Sequence, residues 1–218
     1  MPYLGAAITP DLMVQTSDNG YLILRGAYTY NPAGTMGGMV TDGFVWTNLA
    51  QGFNSDVNAV YADTNGTMYA GGSFTEAVNG FTNIQRVARW DGAAWTNMGI
   101  GFNNIVRGIR GDSTGTLYTV GDYNGTYGAD QNCRRGSRWV AGNWTNMGVG
   151  YSTAAYALSF DTNDVPYVGG AFVSDGYYRN FGYVAKWNGG NWTNIYESTM
   201  TNGIGFNATV RSVVTAPD

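Results

Sequence analysis

No histidine occurs anywhere in the 218 residues, which removes the imidazole that most often activates a nucleophile, serves as general base or ligates a metal. Glutamate is confined to Glu76 and Glu197 and lysine to Lys186, so arginine supplies nearly all the positive charge. With charged residues at 12%, the surface has to be built from Asn, Thr, Ser, Gly and Tyr, a composition common in extracellular and virion proteins. One cysteine, Cys133, excludes an intramolecular disulfide framework and reads as an incidental loop residue. No apolar run approaches the length of a membrane span, so no membrane insertion is expected. The opening MPYLGAAITPDLM has neither a basic segment nor an apolar core long enough for a secretory signal. A net charge of −4 argues against nucleic acid as a partner, because a phosphate footprint needs clustered cations. The basic cluster Arg134, Arg135 and Arg138 reads differently: Arg138 takes the strand-edge place of Arg89 and Lys186, and the other two sit in a solvated loop.

Helical periodicity is missing too, and 33 glycines punctuate short alternating apolar runs instead. Between Val57 and Asn97 such a run switches on four times, each bounded by Gly, Asn or Asp, which predicts four antiparallel strands joined by tight turns. A sheet of that kind has two apolar faces and needs copies of itself to cover them. The copies are present. Trp-Thr-Asn recurs at Trp46, Trp95, Trp144 and Trp192, a period of 48 or 49 residues. In the same phase run a turn marker (Gly20, Gly66, Gly115, Asp164) and the end of the second strand (Arg25-Gly26, Gly71-Gly72, Val120-Gly121, Gly169-Gly170). A fourth marker is the fork before the last strand, as in Trp90-Asp91-Gly92 and Trp187-Asn188-Gly189.

A period of this length with four strands per unit predicts an all-β fold of β-propeller blades. The order YAGG, RVARWDG, AAWTNMG resembles kelch-type repeats, and more closely the "GGsF…RiAkWdG…W" repeats of cortical polarity-marker proteins and of microbial and viral surface propellers. The resemblance covers nearly the whole chain and implies a fold; those families are functionally heterogeneous, and no catalytic residue carries over. The expected boundaries are one unit over 1–218, with blade 1 at 11–48, blade 2 at 49–97, blade 3 at 98–146, blade 4 at 147–194 and the start of a fifth at 205–218. Gly205-Phe206-Asn207 restores the phase of Gly52-Phe53-Asn54 and Gly101-Phe102-Asn103, and a fifth inner strand is expected from Val210 to Ala216. Four blades plus one strand leave edges open. The sequence allows three answers: a piece of a longer protein, a ring completed by another chain, or pairing of the last strand near Met1.

Chemistry is sparse. A copper-radical oxidase of the kelch kind needs His ligands, and no stretch matches the Ser-x-Asp-x-Gly-x-Thr-Trp boxes of sialidases. Carboxylate pairs could hydrolyse glycosides, but Asp18, Asp63, Asp112 and Asp161 recur once per repeat. Recurrence there points to hairpin turns, with Asp accepting backbone N–H bonds and Gly supplying positive φ. The same Asp-x-Asn-Gly loops resemble half a calcium site with too few oxygen ligands, so no cofactor is expected. Asn-x-Thr sequons stand at Asn65, Asn124, Asn143, Asn191 and Asn207, where turn and strand chemistry also demands them.

The least repetitive stretch is the loop between the second and third strands. Tyr28, Tyr30, Phe81, Tyr123, Tyr127, Tyr177 and Tyr178 there are the candidate contacts to a partner or glycan, since tyrosine offers a flat apolar body with a polar tip. These loops are expected on one face with the connections that carry Phe53, Phe102, Tyr151 and Phe206, while Phe74 is expected to fold back onto its blade. The expected function is a non-catalytic structural or adhesive module of an extracellular assembly, a virion or tail component or a microbial surface protein. It would bind other protein subunits, copies of itself among them. A lectin-like propeller is the alternative, with a glycan-active enzyme behind it.

Overall fold

The computed structural model describes strands within residues 13–48 and, with side chains, residues 53–77, 84–128, 133–175, 180–195 and 206–215. The described residues form strands and turns and no helix. The chain divides into two compact units, 1–101 and 102–218.

In the first unit, β1 (Met13–Thr16), β2 (Leu22–Arg25), β5 (Met39–Thr41) and β6 (Trp46–Asn48) make one antiparallel sheet in that order. The loop between β2 and β5 carries its own ribbon, β3 (Tyr28–Tyr30) paired with β4 (Gly34–Met36). The second sheet runs β7 (Val57–Ala62), β8 (Met68–Gly72), β9 (Val87–Trp90), β10 (Trp95–Asn97). In the second unit, β11 (Val106–Gly111), β12 (Leu117–Gly121), β13 (Gly136–Val140) and β14 (Asn143–Asn146) form the third sheet. The fourth is β15 (Ala155–Phe160), β16 (Pro166–Gly170), β17 (Val184–Trp187) and β18 (Trp192–Asn194). The register repeats as well: Arg89, Arg138 and Lys186 stand opposite Tyr69, Tyr118 and Tyr167.

Each repeated residue type has a local cause. Asp63 closes the β7–β8 hairpin by accepting the N–H groups of Asn65 and Thr67 at 2.9 Å, and its other oxygen takes the Tyr69 hydroxyl. Asp112 does the same for Thr114, Thr116 and Tyr118, and Asp161 holds Asn163 and Val165. Asp18 lies outside the described residues. The second glycine of the doublet is a packing demand. A Cβ on Gly72 would collide with the Asp56 carbonyl oxygen, which must come that close because it accepts the Ser73 N–H at 2.9 Å.

Among the described residues, the core is built from one aromatic triad in each of the second, third and fourth repeats. Phe53 stacks on Phe74 at 3.9 Å between centroids and leans on Trp95 at 5.0 Å. Phe102 treats Tyr123 and Trp144 alike at 4.0 and 5.1 Å, and Tyr151 treats Phe172 and Trp192 alike at 4.3 and 4.9 Å. All nine rings are buried. Phe53, Phe102 and Tyr151 were expected among the loops of the recognition face; they are instead the first ring of each stack. The asparagine after the phenylalanine clamps the loop above: the Asn54 side-chain oxygen accepts the N–H of Thr75 and Glu76, and Asn103 accepts those of Asn124 and Gly125.

Cys133 is not an incidental loop residue. It is fully buried, with its thiol 3.7 Å from the Trp144 carbonyl oxygen, in the place that Ile84 holds in the second sheet. Burial pushes the thiol pKa up. The stretch after 206 also departs from expectation, since residues 206–215 form no β-ladder; a ladder needs a neighbouring strand, and the described residues supply none. They lie against the fourth sheet instead. Val210 N–H donates to the Gly170 carbonyl at 3.0 Å, Ser159 and Thr215 hydroxyls meet at 3.0 Å, and the missing side chain of Gly169 leaves room for Val210 and Val213.

Candidate functional site

Of the residues nominated for recognition, Tyr127 is exposed at 52%. Tyr123 is a correction: its ring is fully buried against Phe102, and its hydroxyl lies 2.9 Å from that of Thr119 and donates to the Thr119 carbonyl at 2.8 Å. Desolvation raises its pKa, so the phenol stays neutral. The stacking requirement claims this ring just as it claims Phe74 and Phe172. Tyr28 and Tyr30 lie on β3, with side chains outside the described residues; Phe81, Tyr177 and Tyr178 lie outside the described residues altogether.

Two cross-links align the sheets of the second unit. At one end, Asp164 accepts the Ser113 N–H at 2.9 Å and its hydroxyl as well, joining the two hairpin turns. At the other end, the Arg107 guanidinium lies 5.0 Å from the centre of the Tyr156 ring. This second end carries the loops between second and third strands and four exposed apolar residues, Tyr127, Val149 at 38%, Val173 at 45% and Phe206 at 55%; Val140 and Val214 are exposed toward the hairpin end. In the first unit, Ile100 is exposed at 60% in the connection corresponding to that of Val149.

At the hairpin end Asp112, Asp161 and Asp164 stand with Arg110, Arg138 and Lys186, whereas the described residues of the loop end include Arg107, Arg134, Arg135 and Arg211 against Asp122 and the buried Asp175. Arg135 is not simply solvated as expected. It is half-buried, it donates to the Tyr151 carbonyl at 2.6 Å, and burial, with Arg134 beside it, lowers its pKa.

Sequence reasoning missed the inner edge of this end. The inner strands of the second, third and fourth sheets each carry a β-bulge just after their first residue, between Val57 and Ala59, Val106 and Gly108, and Ala155 and Ala157. A bulge re-aims the extra side chain. In the second unit the bulged residues are Arg107 and Tyr156, and Arg211 follows Val210 at the corresponding place. Arg107 binds Asp122 through two bonds of 2.7 and 2.6 Å, and that carboxylate raises its pKa. Arg211 approaches the same Tyr156 ring at 5.7 Å. The signal was present in the repeat alignment, where the position after the first apolar residue of the inner strand reads Asn58, Arg107, Tyr156, Arg211.

Among the described residues no group of three or more His, Cys, Asp or Glu could hold a metal ion, and no helix is long and apolar enough to cross a membrane.

No protein-family model matches the sequence, and no curated protein matches it. Among solved structures, the chain is similar to the computationally designed Ika8 protein, with 14% identity and a TM-score of 0.55 over 91% of this chain and 50% of that one. The chain therefore spans about half the length of the designed protein. An extracellular domain from a two-component system of B. thetaiotaomicron aligns with 14% identity and a TM-score of 0.41 over 88% of this chain and 28% of its own. A GH74 xyloglucanase from Xanthomonas campestris aligns with 13% identity and a TM-score of 0.35 over 81% of this chain and 30% of its own. The likeness to the designed protein is one of fold; the other two have no bearing on function.

Proposed function

We propose that the chain is a β-propeller, each four-stranded sheet a blade, that works without catalysis as a structural or adhesive module of an extracellular assembly, in a virion or on a microbial surface. The repeat period and the sheet order recurring from sheet to sheet support the propeller. The observation that carries the interaction role is the loop end of the second unit, where Tyr127, Val149, Val173 and Phe206 stay exposed although the fold buries every triad ring. Apolar side chains gathered on loops above a rigid scaffold favour a protein partner. The aspartates recurring in the hairpins are committed to their turns.

The test is incorporation. Purified particles or cell-envelope fractions of the source should contain the chain in fixed stoichiometry, and Tyr127→Ser combined with Val173→Ser should release it. Asp91→Asn, at a hairpin turn, should not. Unchanged incorporation of the double variant refutes this reading, and a saccharide that displaces the wild type would replace it with the lectin.

A further inference from the structure

The loop end of the second unit contains an arginine that the fold does not need. Arg107 and Arg211 both address Tyr156, at 5.0 and 5.7 Å from the ring centre, but they are not equivalent. Arg107 is already matched by the forked bond to Asp122. Arg211 is exposed, and no carboxylate among the described residues lies within ion-pair reach of it. Its surroundings do not supply one either: Arg134 and Arg135 add positive charge at the same end, Asp122 is occupied by Arg107, Asp175 is buried, and the other described aspartates of this unit sit at the hairpin end. Among the described residues, this end thus carries four arginines against two aspartates.

We infer that the Arg211 guanidinium, steadied by the Tyr156 ring, is the receptor for an Asp or Glu carboxylate on the partner protein. This rests on the assembly reading above and names the chemistry of its contact. A planar guanidinium held against a ring has lost part of its rotamer freedom before binding, and its fork matches a carboxylate through two parallel bonds. The Tyr156 ring is already approached by guanidinium groups from two neighbouring segments, which leaves it poorly placed as a stacking platform for a sugar. Val173 and Phe206, exposed at the same end, suit apolar residues flanking the acid in a protein segment.

The test uses the whole chain and a hexaglutamate peptide, with hexaglutamine as the uncharged control, followed by NMR of the arginine Nε–H and tyrosine ring signals. Hexaglutamate should shift the Arg211 and Tyr156 signals saturably, and raising the salt should weaken it. Arg211→Gln should lower the affinity roughly tenfold, the scale of a hydrogen-bonded charge contact, with Arg211→Lys between the two because it keeps the charge and loses the fork. Equal binding of hexaglutamine, or an Arg211→Gln variant that binds like the wild type, overturns the inference. So does a sulfated or uronate saccharide that saturates these signals where hexaglutamate does not. If the peptide binds through Arg211 but Arg211→Gln still enters particles as the wild type does, the carboxylate contact is not the assembly contact and the inference fails while the assembly reading stands. If peptide binding holds and the Tyr127 and Val173 variants leave incorporation unchanged, the assembly reading fails and the carboxylate receptor survives it.

Discussion

The third sheet allows a sharp test of how the triads are held, because its core is more polar than that of its neighbours. Where the second sheet places Ala70 beneath Phe74 and the fourth places Val168 beneath Phe172, the third places Thr119 beneath Tyr123. Both polar side chains are fully buried and share a hydroxyl–hydroxyl contact of 2.9 Å, with a further bond of 2.8 Å from the phenol to the Thr119 carbonyl. Tyr123→Phe strands the threonine hydroxyl in an apolar core, which costs about 1–2 kcal/mol. Thr119→Val should cost less, about 0.5–1 kcal/mol, because the phenol keeps its carbonyl acceptor. The double variant removes both hydroxyls of the pair, leaving Ser137 where the neighbouring sheets have Ala88 and Ala185, and should return to within about 0.5 kcal/mol of wild type. Urea unfolding followed by tryptophan fluorescence measures all three. A double variant that loses the sum of the single losses shows that the pair is not a coupled unit, and the account of the third sheet fails.

Tyr151 makes the opposite case. Its buried hydroxyl has no hydrogen-bond partner, and Phe53 and Phe102 hold the same place in the other triads. Tyr151→Phe should therefore raise stability by about 1 kcal/mol, read as a higher urea midpoint. Gly72→Ala should cost more than about 2 kcal/mol by forcing the Asp56 carbonyl out of its bond, whereas Gly190→Ala, with open space around it, should stay within about 0.5 kcal/mol. The Tyr69 and Tyr118 phenols, half-buried and then opposed by Asp63 and Asp112, have their pKa values pushed up from 10.0 to about 12. A raised pKa means the folded state holds the proton more tightly, so this stabilisation is complete below pH 10 and is lost as pH rises from about 10 to about 12. Urea midpoints should fall across that window, and a Tyr69→Phe/Tyr118→Phe variant should fall less; a wild type flat across the window contradicts the assignment.

The sheets were legible in the sequence because their determinants are local. An Asp two residues before an Asn or Thr N–H, a residue at positive φ (Gly66, Gly115, Asp164) and alternation of apolar residues each act within one hairpin, and each recurs with the period. The triads were half legible. Tryptophan marked one ring in each, but nothing local distinguishes Phe102 facing inward from a phenylalanine on a loop; its partner Tyr123 comes from the loop after β12 and Trp144 from β14. The Arg107–Tyr156–Arg211 series was less legible still, because its members come from different repeats and their meeting depends on the bulges at Arg107 and Tyr156. Cys133 was equally hard to read, since what buries it includes Trp144 on another strand.

Tyr123 and Tyr127 sharpen the point, because both are tyrosines of one loop with opposite fates. Tyr123 stands in phase with Phe74 and Phe172, and a position that stays aromatic from repeat to repeat is one the sheet itself requires. Tyr127 corresponds to Val78 and Gly176, so the scaffold makes no demand there. Phase locking thus separates packing from recognition within a single chain. The bulged position obeys the same criterion: Asn58, Arg107 and Tyr156 share a β-bulge and no chemistry, and Arg211 stands at the corresponding place after Val210. A fold that needed a particular side chain at that place would have repeated it. The variation leaves the inner edge of the loop end free to be shaped by what it contacts, and in the second unit that shape is an arginine against a tyrosine ring with no carboxylate partner among the described residues.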